Sequence, residues 1–77
     1  MNTIDEFVAK FAEQFEYTDR ESIKAYTRYK DLEEWDSLAV LTIISMVNST
    51  YNIELIGADV RGVNTVEELY GLVMSRL

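Results

Sequence analysis

Apolar residues return at helical spacing in three places along this chain. Ile4, Phe7, Val8, Phe11, Ala12 and Phe15 share one face, while Asp5, Glu6, Lys10, Glu13 and Gln14 take the other. That period predicts an amphipathic helix over residues 3–15, opened by Thr3 and Glu6 in capping-box spacing. Its aromatic stripe reads as core rather than as a ligand cleft. A second helix is predicted over residues 37–51, with Val40, Ile43, Ile44, Val47 and Tyr51 buried and Thr42, Ser45, Asn48 and Ser49 on the opposite, uncharged polar face. Leu38 and Leu41 interrupt that polar face. A last helix opens at Asn64-Thr65, where Thr65 and Glu68 repeat the capping-box spacing, and is expected to bury Val66, Leu69, Tyr70, Val73 and Leu77. Gly71 costs it about 1 kcal/mol against Ala, which suggests a close helix contact or a weak tail.

The connections are less regular. Residues 16–36 are too many for a featureless loop in a compact domain. Thr18 and Glu21 again have capping-box spacing, so a short helical piece over residues 20–26 is expected. Ile23, Tyr26, Tyr29, Leu32 and Trp35 recur every third residue and should pin the loop to the helices; an aromatic cage for a cation is the weaker reading. Asn52-Ile53-Glu54-Leu55-Ile56-Gly57 alternates like a strand but has no second strand to pair with, so it reads as extended loop. A single helical turn is expected over residues 58–61. The pattern as a whole is all-α: one domain over residues 1–77, with three main helices and one short one.

Composition narrows what such a bundle can do. Seventy-seven residues make one modest core, and 48% hydrophobic residues place the chain outside the disordered class. The longest uncharged run, residues 37–53, is too short and too polar to span a bilayer. No basic-then-apolar signal opens the chain, so a cytoplasmic location is the expectation. Fourteen acidic residues against seven basic ones argue against nucleic acid and favour basic partner surfaces. With no Cys and no His, disulfides, thiolate nucleophiles, imidazole acid–base work and the usual zinc sites are excluded.

The candidate chemistry lies at Glu34-Trp35-Asp36-Ser37-Leu38, between the polar loop and the most apolar segment. Asp36 has the short side-chain oxygen of an N-cap, which places Ser37 in the first turn of the second helix. Unpaired N–H groups and the positive end of the helix dipole meet there, so a phosphate on Ser37 would be held by both. Asp-Ser is also an ordinary way to start a helix, and Ser37 as part of a plain cap stands as the alternative. Leu38 and Leu41 beside it read as contacts for an enzyme gripping this helix, or else as leucines covered by the preceding loop.

This arrangement resembles the attachment site of acyl and peptidyl carrier proteins, and the resemblance runs over nearly the whole chain. Leu32-Glu33-Glu34-Trp35-Asp36-Ser37-Leu38 is similar to the Leu-x-x-Trp-Asp-Ser-Leu form found in discrete carriers of specialised pathways. Tyr51-Asn52-Ile53-Glu54-Leu55 resembles the family's aromatic-x-Ile-x-Leu/Ile segment, and Val63 to Leu69 its Ile-x-Thr-Val-x-x-Leu start of the final helix. The resemblance implies that Ser37 carries a covalent 4′-phosphopantetheine arm, transferred from coenzyme A by a phosphopantetheinyl transferase with magnesium at the transferase. It implies a thiol on that arm holding acyl or aminoacyl cargo, and loading and acyl-transferring enzymes as partners of a monomeric carrier. Asp36, Leu38, Leu41, Glu33 and Glu34 become the expected partner contacts. Fatty-acid carriers place carboxylates along their second helix, whereas residues 38–52 have none before Glu54, and the acidic cluster lies upstream at Asp31, Glu33, Glu34 and Asp36. That departure points to a specialised pathway rather than general fatty-acid synthesis.

Catalysis by the chain itself is not expected. Glu33-Glu34 and Glu67-Glu68 are sequence neighbours, which do not face each other on a helix. Gly57, Gly62 and Gly71 form no phosphate loop, and Ser37 has no base in its motif to make it a hydrolytic nucleophile. The rival from another class is a small acidic helical adaptor that binds a protein through the Leu38 and Leu41 face.

Overall fold

The three longer helices start where a side-chain oxygen replaces a missing backbone acceptor. A computed structural model describes residues 2–77 and contains four α-helices: α1 (Ile4–Glu13), α2 (Ser37–Tyr51), α3 (Gly57–Gly62) and α4 (Val66–Ser75). Thr3 caps α1 by accepting from the Glu6 N–H at 3.2 Å. The helix is shorter than expected at its far end, where Gln14 caps it and its amide donates to the Lys10 carbonyl at 2.9 Å. Phe15, expected inside the helix, lies just beyond it and is still buried.

The long connection contains only two single 3₁₀ turns, Arg20–Ser22 and Tyr29–Asp31. The expected capping box at Thr18 does not form. Asp19 caps the first turn, accepting from the Glu21 N–H, and the Thr18 hydroxyl donates to Glu34 instead. Ile23, Tyr29, Leu32 and Trp35 pin the loop as expected, but Tyr26 is 72% exposed and takes no part in an aromatic cage. Tyr29 is completely buried; its hydroxyl reaches the Val60 carbonyl and, at 3.0 Å, that of Val63. Burial first, and the Glu68 carboxylate second, push its phenol up to about 12. Among the described residues no strand forms beyond an isolated antiparallel bridge between Arg28 and Thr65.

α2 spans the expected residues, and Asn52 ends it in the left-handed conformation (φ 57°, ψ 40°), which Asn adopts more readily than most residues. The reversal drops Ile53 and Leu55 into the core while Glu54 and Ile56 point outward. α2 buries Met46 in addition to Val40, Ile43, Val47 and Tyr51, whereas Ile44 is only half-buried. Two neighbours, α1 and α3, flank α2, so its buried arc is wider than one stripe.

α4 opens with the full reciprocal capping box: Thr65 Oγ1 accepts from Glu68 N–H, and Glu68 accepts from Thr65 N–H. Val66, Leu69 and Val73 are completely buried, and Tyr70 is half-buried. Leu77 is a correction, since α4 ends at Ser75 and leaves Leu77 62% exposed. Gly71 makes no close helix contact; an added Cβ there would meet nothing within 4 Å. Phe7 and Phe11 are the centre of the core, with Tyr51, Tyr70, Tyr29 and Phe15 rings around them at 5.5–5.9 Å between centroids. The aromatic stripe is therefore core. The architecture is a small all-α bundle of three main helices and one short one.

Candidate functional site

The start of α2 is positioned by the loop that precedes it. Trp35 packs against Tyr29 (ring centroids 4.8 Å, planes at 53°) and Phe15 (6.3 Å), which fixes where the loop ends. Glu34 stitches the same loop to the end of α1. Its carboxylate accepts from the Thr18 hydroxyl at 2.6 Å, the Tyr17 N–H at 2.8 Å and the Glu16 N–H at 3.2 Å. The Thr18 hydroxyl and those amides hold its carboxyl below the usual carboxylate range. Glu34, expected to face partners, thus has both oxygens engaged within the chain. Glu33 is exposed beside it.

Asp36 is extended and caps α2, its Oδ1 accepting from the Ala39 N–H at 2.8 Å. Ser37 follows as the first helical residue, exposed to solvent. Its hydroxyl has no hydrogen-bond partner among the described residues, and neither its N–H nor that of Leu38 has an acceptor there. The Asp36 cap therefore satisfies the third donor of the helix and leaves the first two open toward the side where Ser37 lies. Thr42 is not open in this way, because its hydroxyl donates to the Leu38 carbonyl at 3.0 Å.

The preceding loop does not cover the two leucines: Leu38 is 69% and Leu41 62% exposed. Ile56, at the entry to α3, adds a third exposed apolar side chain at 64%. Two open grooves flank the helix start. The larger, about 500 Å³, runs between α2 and α3 and is lined by Trp35, Ser37, Val40, Ile44, Gly57 and Arg61 among others. The smaller, about 270 Å³, lies toward α1 and includes Phe15, Glu16, Tyr17, Glu34 and Leu38. Ser37 lines only the first.

Ile56, Gly57 and Arg61 are site residues that the sequence did not announce. α3 is only six residues long, too short for periodicity to reveal which face it turns to α2. Among the described residues no group of three or more carboxylates could hold a metal ion, and no helix is long and apolar enough to cross a membrane. Neither a protein-family profile, nor a curated protein, nor a solved structure matches this chain, so the site speaks only through its own residues and geometry.

Proposed function

We propose that this protein is a carrier of acyl or aminoacyl groups, with Ser37 as the attachment point for a 4′-phosphopantetheine arm. One observation supports the reading above the others: an exposed serine hydroxyl with no partner, at the capped but open start of a helix. A structural cap would hold its oxygen against the backbone, as Asp36 and Thr65 do. The surroundings also suit an attached chain, since a groove begins at Ser37 and runs along α2 as far as Ile44.

In the transfer, the Ser37 Oγ attacks the phosphorus of coenzyme A that bears the pantetheine. The Oγ–P bond forms, the pyrophosphate P–O bond breaks, adenosine 3′,5′-bisphosphate leaves, and the Oγ proton passes to a base of the transferase. This chain supplies the nucleophilic oxygen and holds it at a fixed place; it has no His or Cys to do more. When attached, the arm supplies the thiol that the chain lacks and bears cargo as a thioester. Trp35 and the Glu34 stitch keep the site rigid, so that cargo is delivered by the reach of the arm, at raised effective concentration, rather than by tight binding. Leu38, Leu41 and the exposed Glu33 form the surface offered to the transferase and to the loading and acyl-transferring enzymes. The uncharged polar face of α2 favours a specialised pathway over general fatty-acid synthesis.

The exposed leucines also support the second reading, an adaptor that binds a protein partner through that face with Ser37 as a bystander. The two readings part at Ser37→Ala. Incubation with a fluorescent coenzyme A analogue and a broad-specificity phosphopantetheinyl transferase should label the native chain and leave Ser37→Ala unlabelled. An unlabelled native chain that is folded by circular dichroism would favour the adaptor.

A further inference from the structure

Arg61 is a cation without a partner on the wall of the groove that Ser37 opens. Its guanidinium folds back over Gly57, so closely that a Cβ at Gly57 would meet Arg61 Nη2 at 2.8 Å. The ion pairs among the described residues are Arg28 with Asp31 and Arg76 with Asp59, and Arg61 belongs to neither. Asp59, the acidic residue nearest to it in sequence, is committed to a two-pronged contact with Arg76 at 2.8 and 2.9 Å. The end of α3 that bears Arg61 is itself fixed, because Lys30 Nζ donates to the Arg61 carbonyl and to Asn64 Oδ1. In a chain of net charge −7, this exposed guanidinium stands without an ion-pair partner in a groove that it shares with Asp36 and Ser37.

The two grooves beside α2 differ in charge. Glu16, Glu34 and Asp36 line the one toward α1, with no cation among its lining residues; in the one toward α3, Arg61 offsets Asp36. An anion fixed at Ser37 meets carboxylates alone on the side toward α1 and finds a cation on the side toward α3. Arg also suits a phosphate better than Lys does, because its planar fork can donate two parallel hydrogen bonds.

We propose that Arg61 is a positioning residue that pairs with the phosphodiester formed on Ser37 and so directs the root of the arm into the α2–α3 groove. This inference rests on the carrier reading and adds to it a specific contact and a direction. Gly57 belongs to the device, since its missing side chain is the space in which the guanidinium lies. The contact is solvent-exposed, so it biases the arm without locking it, and strong salt should weaken it.

The test uses ¹⁵N-labelled protein, with the mass checked before any spectrum is interpreted. A chain that gains no phosphopantetheine from coenzyme A overturns the carrier reading, and this inference with it. In a chain that does gain it, loading should shift the Arg61 Nε–Hε resonance and the α3 amides as well as those at the start of α2. Arg61→Gln, compared at the loaded fraction confirmed by its mass, should keep the shifts at the start of α2 but lose most of the shift in α3. Gly57→Ala, which displaces the guanidinium, should lose part of it. An Arg61 resonance that loading leaves unmoved, or α3 shifts that persist in Arg61→Gln, would overturn the inference while leaving the carrier reading intact.

Discussion

Two helix starts in this small bundle use the same device and end in opposite conditions. At α4, Thr65 and Glu68 cap each other, and the loop carbonyls of Thr27 and Ala25 accept from the Val66 and Glu67 N–H groups at 3.1 and 2.8 Å. Every donor of that first turn is engaged, and Val66 and Leu69 are completely buried beneath it. At α2, the Asp36 side chain accepts from Ala39 and its carbonyl from Val40. The donors of Ser37 and Leu38 stay open, and the side chains above them, Ser37, Leu38 and Leu41, face solvent. α4 is closed, with its first-turn donors engaged within the chain; α2 is open, with two of its donors left without an acceptor among the described residues. An open helix start at an exposed serine is compatible with the modification proposed at Ser37, whereas the closed start of α4 leaves no such opening.

The largest difference should appear in the apolar side chains. Leu69→Ala, in the closed region, should cost about 2–5 kcal/mol of unfolding free energy in urea, a large share of what a domain this small has. Leu41→Ala, in the open region, should stay within about 0.5 kcal/mol and act instead on partner enzymes, as a lowered rate of loading by the transferase. A loss of 2 kcal/mol or so for Leu41→Ala would mean that α2 is not open at all.

The caps give the next contrast. Thr65→Ala should cost about 1 kcal/mol, and Asp36→Ala a comparable amount, because each removes an acceptor from a first-turn N–H. Ser37→Ala should fall within about 0.5 kcal/mol, since its hydroxyl engages nothing. Thermal melts of the three variants would show it. A Ser37→Ala loss equal to that of Thr65→Ala would make Ser37 a cap and remove the main support for a modification site.

Acid should act through the carboxylates engaged within the chain, Asp59 in α3 and Glu68 in α4 as well as Glu34 before α2. Arg76, first, and the Ile56 amide hold Asp59 down at about 2, and the Asn64 and Thr65 amides hold Glu68 below its usual range. A carboxyl whose folded pKa is depressed contributes stability that is present above its unfolded pKa, about 4, and that is lost as pH falls toward the folded value. The Asp59 contribution should therefore disappear between about pH 4 and pH 2. Part of it is screened, because Arg76 is 39% exposed. Asp59→Asn should flatten the acid limb of the stability profile measured by urea unfolding; an unchanged limb would show that the Arg76 contact contributes nothing. Smallest of all, Gly71→Ala should raise stability by up to about 1 kcal/mol, as nothing stands where the new methyl group would go.

What the chain's pattern revealed was whatever is decided locally. The Thr65–Glu68 box, the Asp36 cap and the span of α2 depend on residues within one turn of each other, and all were legible. Thr18 and Glu21 have the same spacing as Thr65 and Glu68, yet no box forms there, because Glu34 competes for the Thr18 hydroxyl from sixteen residues away. Tyr26 keeps the three-residue rhythm of Ile23 and Tyr29 but is exposed, since the loop turns at residues 24–27 instead of continuing as a helix. Met46 was missed and Ile44 overestimated because α2 is packed from two sides and a single stripe cannot describe it. Leu77 follows the α4 period beyond the point at which the helix stops. In the site, Ser37, Asp36, Leu38 and Leu41 could be picked out from sequence. Arg61 could not, because its importance depends on α3 packing against α2 and on Asp59 being taken by Arg76.

The central claim is that the open start of α2 exists to be modified at Ser37. The most direct test is the intact mass of the native chain and of Ser37→Ala after incubation with coenzyme A, magnesium and a broad-specificity phosphopantetheinyl transferase, with fragmentation to locate any addition. The account predicts one phosphopantetheine on the native chain, at Ser37, and none on the variant. A folded native chain that gains nothing, or an addition that maps to another residue, would contradict it.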